Sequence, residues 1–383
     1  MFAGKKSAQI REILISESAW EEMTCLFAPS LSLSTCFLFK IYGAYKMIKN
    51  IYYFPANSGS NSYPARIKEI LSKFSIVHDL YFSLLIKELV KLNFTRYDIV
   101  IVNWLESGII KKNGKLSFSG VIKVFIKLAL LKAKFKKIIF VQHNKYPHNT
   151  NIRFIKVATR IVNLIASFSD HVIIHSPVVC GNKYHYIPHP LYIYPIKSTE
   201  DSACSFSNDN YYIFGRVVKY KKYEDVISAF PANKNLIIMG SCEDDEYKIM
   251  IQELCKNRKN VTFMPEYISD EKAKELLSTG AALIISHSDE DMIVSGSFFY
   301  GLTIGIKILA INTPFLGWAS SVLQRDVIET FDDLDSMMHH IKTAQKGQSS
   351  RYSFQSIEDV NKYFGDISIE SKFMSLLDIN EKK

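Results

Sequence analysis

The sequence predicts an α/β chain of two doubly wound, parallel-sheet domains facing a central cleft, and three observations carry that prediction. From Ile51 onward, short apolar β-rich runs alternate with longer stretches of helical periodicity, the pattern of parallel strands joined by crossover helices. The polar stretch 198–210, short of large aliphatics, interrupts the alternation once, after which it restarts. The 383 residues, 48% hydrophobic and 22% charged, are enough for two ordinary domains and exclude a disordered or fibrous chain.

Residues 1–46 carry weak periodicity and clustered Ser and Thr. They read either as an extension outside the fold, even an upstream translation of no structural consequence, or as an N-terminal helical cap. The run from Met23 to Phe39 is uncharged, but Pro29 and several serines interrupt it, which argues against a spanning helix. A first domain is expected over 47–195. Its strands fall at 51–54, 97–103, 138–142 and 171–175, and its helices at 63–74, 117–137 and 152–167. A second domain is expected over 196–350, with strands at 211–214, 236–239, 261–264, 282–286 and 307–311. The helices between them fall at 223–230, 246–256, 270–278 and 296–305. The segment 351–383 holds a helix, at 353–364, expected to cross back onto the first domain.

Lys and Arg number 47 against 38 Asp and Glu, a net charge of +9. Such a balance suits nucleic acid, phosphorylated metabolites or an acidic membrane face, and no nucleic-acid module or aromatic platform motif favours the first. The six cysteines are widely spaced, without a C-x-x-C pair, so they read as reduced thiols and not as a disulfide framework or zinc site. A cytoplasmic protein, soluble or peripheral on the inner face of the cell membrane, is expected.

Chemistry concentrates in a few stretches. In Phe214-Gly215-Arg216-Val217-Val218-Lys219-Tyr220-Lys221 a strand delivers a glycine, then two cations precede a helix. Helix dipole, free N–H groups and cations together favour a diphosphate; the alternative is a solvated basic loop. Asn57-Ser58-Gly59-Ser60-Asn61 forms the first strand–helix loop. His143 ends a parallel strand at the carboxyl edge, where ligands of open α/β sheets sit. It is read as a ligand contact or general base, against a hydrogen-bonded core histidine. Glu106 competes as the carboxylate base, its alternative being an exposed loop acid. Asp289-Glu290-Asp291 spells a metal-binding D-x-D, taken here as coincidence; neither a metal nor a cofactor is expected.

These stretches, with Val141-Gln142-His143-Asn144, Pro147-His148, Ile187-Pro188-His189-Pro190-Leu191-Tyr192 and Ser295-Gly296-Ser297, resemble the GT-B glycosyltransferases, specifically bacterial polysaccharide enzymes similar to glycosyltransferase family 4. The resemblance spans about residues 47–375. It implies two Rossmann-like domains, an acceptor domain followed by a nucleotide-sugar donor domain, and a metal-independent hexosyltransferase. Its partners would be a nucleotide-diphosphate sugar donor and a lipid-linked saccharide acceptor of bacterial surface polysaccharide assembly. It implies donor contacts from Gly215, Arg216, Lys221, Gly240, Ser295, Gly296 and Ser297, and an acceptor or phosphate loop at Gly59, Ser60 and Asn61. Catalytic roles fall to His143, Glu106 or Asp291. Lys222 stands where the family's G-R-x-x-x-Y-K-G has its last glycine, and the family's Glu-x7-Glu pair has no clean copy. Asp291 therefore either contacts the sugar or caps the helix. A sugar-nucleotide epimerase or hydrolase of similar build, and a non-catalytic nucleotide- and membrane-binding protein, are the alternatives.

The basic, apolar helix at 117–137 adds one more expectation. Lys123, Lys127 and Lys134 fall on one side, which would hold an anionic membrane surface; the plain reading is a crossover helix with solvated lysines.

Overall fold

The computed structural model describes residues 48–57, 59, 61–111, 113–147, 150–179, 181–193, 209–287, 293–345 and 352–378. The expectations for residues 1–46, Ser60, Asp291 and most of the polar connection lie outside the described residues. Residues 48–378 form one compact unit containing two six-stranded sheets.

The first half runs β1 (Ile48–Phe54), α1 (Tyr63–Ser72), β2 (Ser75–Asp79), α2 (Phe82–Val90), β3 (Tyr97–Asn103), α3 (Phe118–Lys134), β4 (Phe135–Gln142), α4 (Ile155–Phe168), β5 (His171–Ile174) and β6 (Tyr184–Tyr186). Its strands are all parallel, in the order β2-β1-β3-β4-β5-β6. Val100, Val102, Ile138, Phe140 and Val172 pack against Leu85 of α2, Val124, Leu128 and Leu131 of α3, and Ala158, Val162 and Ile165 of α4. Those three helices therefore share one face of the sheet. The reversed direction of the β1–β2 step puts α1 on the other face, because such crossovers are right-handed.

The second half runs β7 (Asn210–Phe214), α5 (Tyr223–Ala229), β8 (Asn235–Met239), α6 (Asp245–Lys256), β9 (Val261–Met264), α7 (Asp270–Leu277), β10 (Ala282–Ile285), α8 (Gly296–Ile304), β11 (Ile308–Ile311), α9 (Pro314–Val322), β12 (Ile328–Phe331), α10 (Leu334–Thr343), α11 (Phe354–Phe364) and α12 (Asp366–Leu376). Its sheet is also parallel, ordered β12-β11-β10-β7-β8-β9. Strands with both faces covered read as near-continuous apolar runs, which is why most were legible.

Strands β2, β6 and β12 and helices α2, α9, α10 and α12 were not expected from the sequence, and three further details differ. The helix expected to run to Lys137 stops at Lys134, because Phe135 is fully buried and pairs with Tyr97 across β3 and β4. The helix at 353–364, α11, stays with the second half: Val360 and Phe364 join the core of Phe298, Phe299 and Phe315. It is α12 that packs on α1. There Arg66 donates from Nε to the Leu191 carbonyl at 3.0 Å and from a terminal nitrogen to Asp366 at 2.6 Å. One buried guanidinium thus fastens the first half, the entry to the connection and the C-terminal helix together. Finally, Lys134 belongs to no solvent-facing stripe. It is fully buried, 2.5 Å from Glu88 of α2 and 3.0 Å from the Asn93 carbonyl.

Candidate functional site

Doubly wound sheets open ligand crevices at the carboxyl ends of the strands where their order reverses. In the second sheet that point lies between β7 and β10, in the first between β1 and β3.

At the second point lies a cavity of about 320 Å³. Gly215, Arg216, Tyr220 and Lys221 line it after β7, His287 after β10, and Ser295, Gly296 and Ser297 at the start of α8. Asn144 of the first half and Tyr192 complete it from across the crevice. The backbone explains the glycines. Gly215 sits at φ +121°, and a Cβ there would stand 3.3 Å from Ser297 Oγ and 3.8 Å from Lys221 Nζ. The Ser297 hydroxyl donates to the Phe214 carbonyl at 2.8 Å, tying strand end to helix start. Gly240 does not line the cavity. At φ +144° it lies behind Gly215, where a Cβ would come within 2.0 Å of the Gly215 carbonyl oxygen, while the Gly215 N–H bonds the Met239 carbonyl at 3.0 Å. It is a backing for the loop.

The charges are arranged for an anion. Lys221 is buried, and its ammonium donates to the Arg216 carbonyl at 3.0 Å. Among the described residues neither Arg216 nor Lys221 meets a carboxylate. Burial and the neighbouring guanidinium push the Lys221 pKa down to about 8. Buried His287 is held neutral, its pKa lowered to about 3 by desolvation and by Lys221. The start of α8 adds the partial positive charge of a helix N-terminus. Two cations, a helix start and a neutral imidazole thus converge on one space. Lys222, at φ 49° and ψ 51°, holds the left-handed conformation at the start of α5 that a glycine would adopt without strain, at a cost of about 1–2 kcal/mol for a side-chain-bearing residue.

At the first point, Asn103 donates to the Phe54 carbonyl at 2.9 Å, joining the ends of β3 and β1. That fixes its amide, so the His143 Nε2–H donates to Asn103 Oδ1 at 3.1 Å. The His143 ring stacks on Trp104 at 4.5 Å and meets Tyr63 edge-on at 4.9 Å. Tyr63 donates its hydroxyl to His175 Nε2 at 3.0 Å, and His175 Nδ1 donates to the Ile187 carbonyl at 2.8 Å. His189 stacks on Phe299 of α8 at 4.4 Å. A continuous run of rings therefore leads from His143 to the helix that opens on the cavity. In the loop after β1, Gly59 adopts φ +63° and its N–H bonds Asn57 Oδ1 at 3.0 Å, while Asn61 Oδ1 accepts from the Tyr63 N–H at 3.0 Å. Gly59, Asn61, His143 and Glu106 sit at this first point and are not among the residues lining the cavity.

Glu106 is not the exposed loop acid that was its alternative reading. Trp104, left-handed at φ 48°, turns the chain into the 3₁₀ turn Leu105–Ile109, and Glu106 is only 2% exposed. Its Oε2 is buried without a hydrogen-bond partner, and desolvation raises its pKa to about 7. Below pH 4.5 the carboxyl is neutral in both folded and unfolded chains. As pH rises towards 7 the unfolded chain ionises first, so stability is lost through that window, reaching about 3 kcal/mol above pH 7. Urea unfolding of Glu106→Gln is expected to show a smaller loss between pH 5 and pH 8 than the parent by about that amount. Equal losses would show that Glu106 ionises normally.

Four lining residues, Asn144, Tyr192, Tyr220 and His287, stood inside or beside motifs without an assigned role. Tyr300 was missed, although it lies one helical turn beyond Gly296, a spacing that puts both on one face.

No protein-family model matches the sequence, and the comparison with curated proteins finds no match. Solved structures do match. Anabaena HepE in complex with UDP-glucose aligns with a TM-score of 0.56 at 12% identity, over 86% of this chain and 99% of that one. Its complex with UDP gives 0.54 at 12% identity, over 87% and 100%. A glycosyltransferase from Rickettsia africae gives 0.54 at 11% identity, over 88% and 100%. These structural neighbours are GT-B glycosyltransferases, and the chain has their two-sheet α/β fold.

Proposed function

We propose that the protein is a GT-B glycosyltransferase similar to family 4, moving a hexosyl group from a nucleotide-diphosphate sugar to a lipid-linked saccharide in bacterial surface polysaccharide assembly. The carrying observation is the cavity at the second switch point, where Arg216, buried Lys221 and the start of α8 surround one space. Breaking the bond between sugar and diphosphate builds negative charge on the leaving group, and preorganised cations and N–H donors aimed at that charge lower the barrier most. Gly215 lets a phosphate approach the backbone. Neutral His287 is suited to hydrogen-bonding without adding charge. The bound UDP and UDP-glucose of the HepE structures support a donor of this class.

The acceptor would enter from the first switch point, past the Gly59, Ser60 and Asn61 loop. His143 and Glu106 are the groups there able to take its proton, and Asp291 the candidate sugar contact. The Nε2–H bond to Asn103 sets the His143 tautomer in which Nδ1 is the basic nitrogen, and a carboxyl with a pKa near 7 suits general-base work at neutral pH. Both are candidates for the base. No metal or cofactor enters this proposal. The site of action would be the inner face of the cell membrane; among the described residues no helix is long and apolar enough to cross one.

Incubating the purified chain with labelled UDP-, GDP- and dTDP-sugars, with and without saccharide acceptor, tests the reading. Sugar transfer supports it. Donor hydrolysis or isomerisation alone points to the epimerase or hydrolase class, and binding without turnover to a non-catalytic protein.

A further inference from the structure

The net +9 hides a division. Residues 48–193 contain 21 Lys and Arg against 6 Asp and Glu, a net +15, whereas residues 209–378 contain 18 against 25, a net −7. Within the first half the helices on one face are poorer still in acids: α3 and α4 contain none. The single acid of α2, Glu88, turns onto Lys134 of α3 and onto the Tyr97 hydroxyl. That ion pair, and Lys127 of α3 lying 5.1 Å from the Phe82 ring centroid, show α2 and α3 running side by side. Exposed Lys123, Lys156 and Arg160 remain on this outer side with no acid among their helical neighbours; exposed Lys91 stands one turn after Glu88, and exposed Lys132 reaches Asp170 at 3.4 Å.

The same side carries apolar residues that a solvated helix face does not need. Phe118, 77% exposed, Ile122 and Ile126 line the outer side of α3 from its first turn, and Val90, 78% exposed, with Leu92 and Phe94 stands at the far end of α2. Single exposed apolar residues are ordinary, but a group of them among cations marks an interaction surface. Phosphates of a nucleic acid would meet the lysines and leave Val90, Phe94 and Phe118 in water. An acidic protein would not require so many protruding aliphatic and aromatic tips. Anionic lipid satisfies both features, with acyl chains for the apolar side chains and headgroups for the cations. The placement is also useful. Phe118 and Ile122 lie in the first turns of α3, which follows β3 and so begins at the carboxyl edge of the sheet, the edge of the first switch point.

We propose that the outer face of α2, α3 and α4 docks the protein on an anionic bilayer, with the start of α3 inserted so that a lipid-borne acceptor meets the first switch point. This rests on the functional reading above for the acceptor alone. It also revises the helical stripe read from sequence: Lys123 and Lys132 take part with apolar neighbours and with α2, and Lys134 does not.

Sedimentation of the full chain with vesicles tests it. Phosphatidylcholine vesicles containing one-third phosphatidylglycerol are expected to bind the chain and phosphatidylcholine alone to leave it in solution, with binding falling as salt is raised. The double variant Lys123→Glu, Lys132→Glu is expected to lose roughly thirty-fold in vesicle affinity, about fivefold per lysine. Phe118→Ser with Ile122→Ser and Ile126→Ser is expected to lose at least tenfold. Both variants should keep the parent's thermal midpoint and its transfer to a water-soluble acceptor. Equal binding to neutral vesicles, insensitivity to either variant, tighter binding to an oligonucleotide, or a dimer dissolved by the serine variant would each overturn the proposal. Transfer without vesicle binding would sink this inference and leave the glycosyltransferase reading standing; vesicle binding without transfer would do the reverse.

Discussion

Arg216→Ala is expected to lower kcat/KM for sugar transfer by roughly 10²–10³, the usual effect of removing one donor aimed at developing charge. The side chain lines the cavity and is exposed, and among the described residues it forms no ion pair. Its loss should therefore leave the fold intact, with a thermal midpoint within a degree or two of the parent. That separates it from Lys221, whose buried ammonium also holds the Arg216 carbonyl and whose removal would disturb the loop. Arg216→Lys should fall between the two, keeping the charge and losing the planar fork that grips two phosphate oxygens at once. Steady-state kinetics at donor concentrations below KM make the comparison. Full turnover by Arg216→Ala under those conditions would remove the assigned phosphate role.

Gly240→Ala is expected to be the most damaging single methyl in the second half, destabilising the protein by about 4 kcal/mol. Two effects add. The position is left-handed, φ +144°, which costs a side-chain-bearing residue about 1–3 kcal/mol. The new Cβ would also press to 2.0 Å from the Gly215 carbonyl oxygen, a backbone atom that cannot swing aside, and overpacking of that kind costs about 1–3 kcal/mol more. If the loop relaxes, it moves Gly215, and the donor side of the cavity moves with it, so donor affinity should fall even in the fraction that folds. Gly59→Ala is the control: φ is +63° but nothing lies within 4 Å of the added carbon, so only the strain of about 1 kcal/mol should appear. Urea unfolding and donor titration of both variants measure the contrast. Parent-like stability and affinity in Gly240→Ala would mean the two loops are not packed as described.

The cavity was largely legible in the sequence because its chemistry is local. A strand, a glycine, two cations and a helix start follow one another in Phe214 to Tyr223, and Ser295 to Ser297 repeat the logic at another helix start. What brings those two segments together, the reversal of strand order between β7 and β10, follows from doubly wound topology. Side chains whose role depends on a distant partner were not legible. Lys134 falls on the same helical side as Lys123, yet Glu88 lies in α2, whose single buried residue, Leu85, gives too weak a pattern to mark the helix. Glu106 follows a strand end like any loop acid. Only the left-handed turn at Trp104 tucks it under the surface, and no residue type announces that turn. Gly240 was recognised as a special position at a strand end but assigned to the ligand, whereas it supports a second glycine that the ligand site needs.

The central claim is that the second half holds a nucleotide diphosphate through its phosphates. A crystal structure of the protein with UDP tests it most directly. Diphosphate oxygens are expected within hydrogen-bonding distance of the Arg216 guanidinium, the Lys221 ammonium and the N–H groups that open α8. Diphosphate bound elsewhere, or bound here with Arg216 and Lys221 turned away from it, would contradict the account.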